Sequence, residues 1–379
     1  MRKRVVRDAL GIVAAMIFLV FLTEVFADGP IPIFVSPTGT DSPTCGTEAS
    51  PCKTITYAFQ NFYSKGYLNV MAGTYNESLD LYHDVIIKGA GAATTIIAGN
   101  GDTSQPTIVS IGSKVEMSGV TVKGGAHGLY TVRALVEASN CTFSGNLNDG
   151  AHVSQNSALK AQSCTFNGNK GRGLAIMLSS SVLLDKCIVN LNKQHGVEVR
   201  QSSSAELTGN TIKTNTINGA AISLGSTARL KSNTISGNKQ IGLIVHRKSA
   251  AELQGGNKIT ANGSSQLGNA GIGVYNASQV YFQKGSVKDS IANNNGHGIS
   301  VFFNGDLYAD DNSVTITGNK GDGLNLGHDS GAQLGNEVAI TGNQGWGISG
   351  NDALGDSKYS GNPMVTGNTA GQINCQKYW

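Results

Sequence analysis

Apolar and polar side chains alternate with period two in short runs from about Leu68 to Asn368, and the runs return about every 23 residues. Period-two alternation marks strands with one buried face. One inward column reads Leu129, Ala151, Leu174, Val197, Ala220, Leu243, Ile272, Ile299, Leu324 and Ile348. Two residues on, a second reads Thr131, Val153, Ile176, Val199, Ile222, Val245, Val274, Val301 and Leu326. A second strand per repeat supplies Val136, Leu159, Val182, Ala205 and Ala228, and a third supplies Phe143, Phe166, Val189, Ile212 and Ile235. One such coil cannot bury its apolar face alone, so the repeats must stack around a shared core. Strands that return to the same place in successive coils are parallel, and parallel crossovers are right-handed. The pattern predicts an all-β, single-stranded right-handed parallel β-helix of about a dozen coils.

Two polar markers keep the same period. Asn146, Asn169, Asn192, Asn215 and Asn238 stand 23 apart, and Gly128, Gly150, Gly173, Gly196, Gly219 and Gly242 run beside them. Both residue types tolerate left-handed backbone angles, which is the expected reason for their place at corners. Before the first strand, Ile55, Ala58, Phe59 and Phe62 lie at helical spacing and predict an amphipathic helix over the open end of the core. The chain thus divides into four segments: 1–27 a signal peptide, 28–67 an N-terminal cap with the short helix, 68–368 the β-helix, and 369–379 a C-terminal cap or tail.

The first segment is assigned from Arg2, Lys3, Arg4 and Arg7, the uncharged apolar run Ala9 to Leu22, and small residues near Ala27. The expected location is therefore outside the cytoplasm: secreted, periplasmic or cell-surface. That segment holds four basic and two acidic residues, so removing it takes the net charge from +3 to about +1. Such a balance argues against a nucleic-acid partner, and no later stretch is apolar enough to span a membrane. Cys45 and Cys52 flank a short turn and are expected to pair in an oxidising compartment. Cys141, Cys164 and Cys187 keep the repeat and read as packed core, since in-register side chains run parallel instead of converging on a metal.

The entry segment, with FVSPTGTDSPTCGTEASPCKTITYAF, LNVMAGTYNESLDL and VIIKGAGAATTIIAG, resembles that of pectin-lyase-like β-helix proteins, and NCTFSGN, SCTFNGN and SNTISGN are similar to their repeats. The resemblance covers nearly the whole mature chain and implies the fold. It implies no single activity, because the superfamily spans lyases, hydrolases, epimerases, esterases and adhesins. GHGIS at Gly296 to Ser300 matches a polygalacturonase motif, and Asp310-Asp311 resembles its acidic pair, but the order of the two is reversed here. No catalytic role is therefore carried onto His297, Asp310 or Asp311.

The residues themselves point to one outward strip, built from the position before each marker Gly and the alternate positions after it. Asp149, His152, Arg172, His195, Glu198 and Arg200 fall on it within about three coils, ~10–14 Å. Arg would neutralise a uronate carboxylate while His or Glu moved protons; the alternative is a polar surface whose charges pair locally, such as Glu198 with Arg172 or Arg200. Small Ala175, between His152 and Glu198, would leave a dent for a sugar ring. Further along, Tyr275 and Phe302 are outward neighbours suited to carbohydrate stacking. Three functions stay open: polysaccharide or surface binding through the lateral face, a polysaccharide lyase or C5-epimerase on uronic-acid polymers, and a structural or adhesive surface repeat. The expected partner is a polysaccharide or cell-surface glycan. No cofactor or metal site is called for, and calcium has no ligand set in its support.

Overall fold

The computed structural model describes residues 31–62, 66–263, 269–350 and 356–377. The proposed signal peptide at 1–27 and most of the 263–270 insertion lie outside them. The β-helix belongs to the compact unit Pro32–Trp379.

Each coil contributes one strand to each of three parallel sheets. Sheet A has 15 strands, and sheets B and C have 13 each. The coil Leu129–Val132 (C), Leu135–Ser139 (A), Thr142–Ser144 (B) is typical, and the next begins at Ala151 in register with Leu129. Leu174, Val197 and Ala220 pair directly in sheet C, and all three are fully buried. The Phe143 and Phe166 rings stack at 5.0 Å in the core. At about 1.5–3 kcal/mol for each large apolar side chain buried, these columns dominate the stability.

The helix Ile55–Asn61 is present, with Ile55, Ala58 and Phe59 buried. Thr54 caps it by accepting from Tyr57 N–H, and Glu77 accepts from the amides of Ile55 and Thr56. Cys45 and Cys52 form a disulfide beside it. Beyond Asn368, Gly371–Asn374 and Gln376–Lys377 extend sheets C and A by one more strand each. Among the described residues no helix is long and apolar enough to cross a membrane.

The corner between sheets B and C holds a buried asparagine ladder from Asn146 to Asn368. Asn169 Nδ2 donates to Asn192 Oδ1 at 3.0 Å and to the Phe143 carbonyl at 3.2 Å, while Asn169 N–H donates to the same Oδ1 at 3.1 Å. The expected backbone reason is thereby corrected: neither the ladder asparagines nor the marker glycines take a positive φ. The asparagines are there for their amides. Glycine is there for space, since a Cβ at Gly150 would lie 2.6 Å from the Gly173 carbonyl oxygen and 2.8 Å from Asn169 Nδ2. Left-handed angles fall elsewhere, notably as consecutive pairs in the turn from sheet C to sheet A, such as Leu178-Ser179 and Phe303-Asn304.

A second ladder runs along the corner between sheets A and B. Cys141, Cys164 and Cys187 open it as free, buried thiols. Asn210, Asn233 and Asn257 continue it, and Asn257 ends on Asp289. The cysteines are therefore core, as their spacing indicates.

Candidate functional site

The outward charges of sheet A pair across coils. Lys160 lies 3.7 Å from Glu137, and Arg229 lies 3.5 Å from Glu206 and 3.3 Å from Glu252. That face is a satisfied surface.

Sheet C and the corner before it differ. The residue preceding each marker Gly lies beside its counterpart one coil on, and its side chain commonly accepts that neighbour's N–H. Asp149 accepts from Arg172 at 2.9 Å, Asn218 from Ile241 at 2.9 Å, and Asp322 from Trp346 at 2.6 Å. This caps the turn, and either Asp or Asn serves. The surroundings of Asp149 go further. Its carboxylate is fully buried, and its oxygen Oδ2 lies 3.2 Å from His152 Nδ1 and 3.4 Å from His127 Nδ1. Oδ1 takes the Arg172 amide and stands 3.5 Å from the guanidinium. Arg172 Nε pairs with Glu198, and Arg200 lies 4.0 Å from the other Glu198 oxygen. The Tyr130 ring stacks on His152 at 4.9 Å.

Five of the six predicted residues thus form one linked group, Asp149, His152, Arg172, Glu198 and Arg200. His195 lies next to it. Its Nδ1 accepts from Asn218 N–H at 3.4 Å, which puts the ring proton on Nε2. Burial pushes its pKa down, with Arg172 and His246 adding to the effect and Glu198 opposing it, so it is neutral at pH 7. Burial also opposes ionisation of Asp149, yet the His127 and His152 rings, the Arg172 amide and the guanidinium together hold it well below the usual carboxylate range. Ala175 opens no dent: it is fully buried, and Arg172 on the same coil is held between Asp149 and Glu198.

His127 is the member not singled out from the sequence. Its signal was present, because it occupies the Asp149 column one coil earlier. Tyr275 and Phe302 are neighbours at 6.4 Å, as expected. The Tyr275 ring, however, folds back over Gly273, and burial pushes its hydroxyl up to about 12. The more open aromatic surface is Phe303, 51% exposed, with His328 stacked on it at 4.6 Å and Phe302 alongside. Neither Phe303 nor His328 can be found from strand alternation, because both sit at left-handed turn positions.

The right handed beta helix region family matches residues 85–235 and 179–314. The chain belongs to this family. Among solved structures, this β-helix is similar to the A-module of an Azotobacter vinelandii mannuronan C-5 epimerase, at TM-score 0.52 and 15% identity over 86% of this chain and 94% of that one. It is also similar to a periplasmic alginate epimerase, at TM-score 0.58 and 13% identity over 82% of this chain and 77% of that one. At such identities the likeness is one of fold. No curated protein matches the sequence.

Proposed function

We propose that this β-helix protein is exported and takes a polysaccharide along the outward face of sheet C. The observation that carries the reading is the contrast between faces: sheet A pairs its charges internally, whereas sheet C gathers His127, His152 and Tyr130 near one end and Phe302, Phe303 and His328 further on. Flat, partly exposed rings on a rigid scaffold suit sugar faces. The structural neighbours named as mannuronan and alginate epimerases make polyuronates the first class to test. The Cys45–Cys52 disulfide fits an oxidising compartment.

One observation favours chemistry as well as binding. Asp149 lies beneath two imidazoles and cannot itself reach a sugar, but it can fix His152 with Nδ1–H donated inward and Nε2 turned out as a proton acceptor. Arg172 is already matched by Asp149 and Glu198, which leaves Arg200, 32% exposed, as the nearest cation for a substrate carboxylate.

The test is a panel of alginate, pectin and glycosaminoglycan oligomers. Binding is read by calorimetry, elimination by absorbance of unsaturated products, and epimerisation by NMR. Phe303→Ala is expected to weaken binding about 5-fold, a stacking contact worth about 1 kcal/mol, with Tyr275→Ala changing it little. No binding to any glycan in the panel would remove the proposal.

A further inference from the structure

We infer that His127, Asp149 and His152 form a binding site for a divalent transition metal ion of the zinc class. The inference goes beyond the glycan reading and does not depend on it; with an ion bound, His152 Nδ1 is a ligand and no longer donates inward to Asp149.

Three groups from two adjacent coils converge, and no two of their ligand atoms are more than 4.8 Å apart. The two imidazole-to-carboxylate separations, 3.2 and 3.4 Å, are close to the spacing of ligands around a tetrahedral ion with bonds near 2.1 Å, about 3.4 Å. The donors, two imidazole nitrogens and one carboxylate oxygen, suit a borderline ion better than calcium, which wants six or more oxygens.

A second observation points the same way. His127 Nδ1 is sealed from solvent and makes only a loose ion-pair contact with Asp149 Oδ2 at 3.4 Å, with no well-aligned hydrogen bond. The ring therefore directs that nitrogen beside the carboxylate oxygen instead of along a line to it. A buried nitrogen so poorly satisfied is costly, and a shared cation would satisfy it. The surroundings also hold the ligands in place: the Arg172 amide and guanidinium occupy Oδ1 and leave Oδ2 to the two imidazoles, and Glu198 balances the Arg172 charge. Both histidines keep about 15% of their side-chain surface exposed, so a fourth position faces outward.

The corner at Asp322 is the internal control. There His297 Nδ1 accepts from Asp322 N–H at 3.0 Å, and its Nε2 lies 3.3 Å from Asn325 Nδ2. Asp322 Oδ2 accepts from the Ser349 hydroxyl at 2.7 Å. Nothing there is left over for an ion.

The experiment uses tag-free full-length protein stripped with chelator, titrated with Zn²⁺, Co²⁺, Mn²⁺ and Ca²⁺ in competition with a chromophoric chelator. One Zn²⁺ or Co²⁺ per chain is expected, with a visible Co²⁺ spectrum of low coordination number. His152→Ala and His127→Ala should each cost more than the ~10–100-fold that loss of an outer-shell partner costs, and His297→Ala should cost nothing. Should a histidine variant misfold, Asp149→Asn replaces it, because Asn218 shows that an amide keeps the turn cap. No stoichiometric binding, binding that survives these substitutions, or binding of Ca²⁺ alone would overturn the inference. Glycan binding is scored separately in chelator, so that failure of one reading is not taken for failure of the other.

Discussion

Asp149 and Asp289 are both fully buried carboxylates at corners of the same solenoid, and they behave in opposite ways. Asp149 is held ionised by an arginine, two imidazoles and a backbone amide. Asp289 ends the second ladder, where Asn257 N–H and Nδ2 donate to its Oδ1 at 2.8 and 2.9 Å while Oδ2 is buried without a partner. No cation is among the groups shifting it, so burial pushes its carboxyl up to about 6, with the Asn257 and Gly255 contacts opposing. Burial alone raises a carboxyl's pKa, and charged partners reverse that. Asp289 is an asparagine position filled by an acid. The Asp149 corner carries more polar groups than capping a turn requires.

The largest test of that contrast is Asp149→Ala. It strips the Arg172 amide of its acceptor and leaves half of a buried charge network uncompensated, which costs about 3 kcal/mol or more. Urea unfolding at pH 7 measures it, with Asp149→Asn as the milder companion. If the alanine costs under about 1 kcal/mol, the Asp149 network has no stabilising weight and the contrast fails.

Asp289→Asn should do the reverse and stabilise. With a folded pKa of about 6 against about 3.9 unfolded, the folded state binds the proton more tightly. Wild-type stability is then greatest below pH 4, declines as pH rises through about 6, and is flat above. An asparagine completes the ladder without a proton, so the variant gains about 2–3 kcal/mol at pH 8 and little at pH 4. A gain that does not depend on pH would show that folding leaves the pKa of Asp289 unshifted.

These behaviours mark where sequence reasoning stops. The columns Leu174–Val197–Ala220 and Phe143–Phe166, the cap helix and the disulfide were all legible, because period and burial come from side-chain type and spacing alone. The outward strip was legible as a line of residues. Which of its members touch was legible only in part: Glu198 beside Arg172 and Arg200 follows from their positions, but Arg172 reaching back to Asp149 as well is a matter of rotamers. The burial of Ala175 and the folding back of the Tyr275 ring were out of reach for the same reason: alternation says which way a Cβ points, not what lies across it. Asp289 was missed because an insertion moves it 32 residues from Asn257 where the period gives 23 or 24.

Asp322 is the intermediate case and gives the smallest effect. It is 16% exposed, and burial opposes its ionisation, but the His297 ring, the Ser349 hydroxyl and the Trp346 amide together lower its pKa. A carboxylate whose folded pKa is depressed adds stability that is present above about 3.9 and is lost as pH falls through the folded value. Asp322→Asn keeps an acceptor for Trp346 N–H and gives up the charge, so at pH 7 it should cost about 1 kcal/mol or less. As pH falls through the folded value the difference should vanish, because the wild type then loses the same charge. Chemical unfolding of the two proteins along a series from pH 7 down into the acid range decides it. A deficit that stayed constant along the whole series would place the contribution of Asp322 in hydrogen-bond geometry that the amide disturbs, and the series from Asp149 through Asp322 to Asp289 would no longer be one of charge compensation.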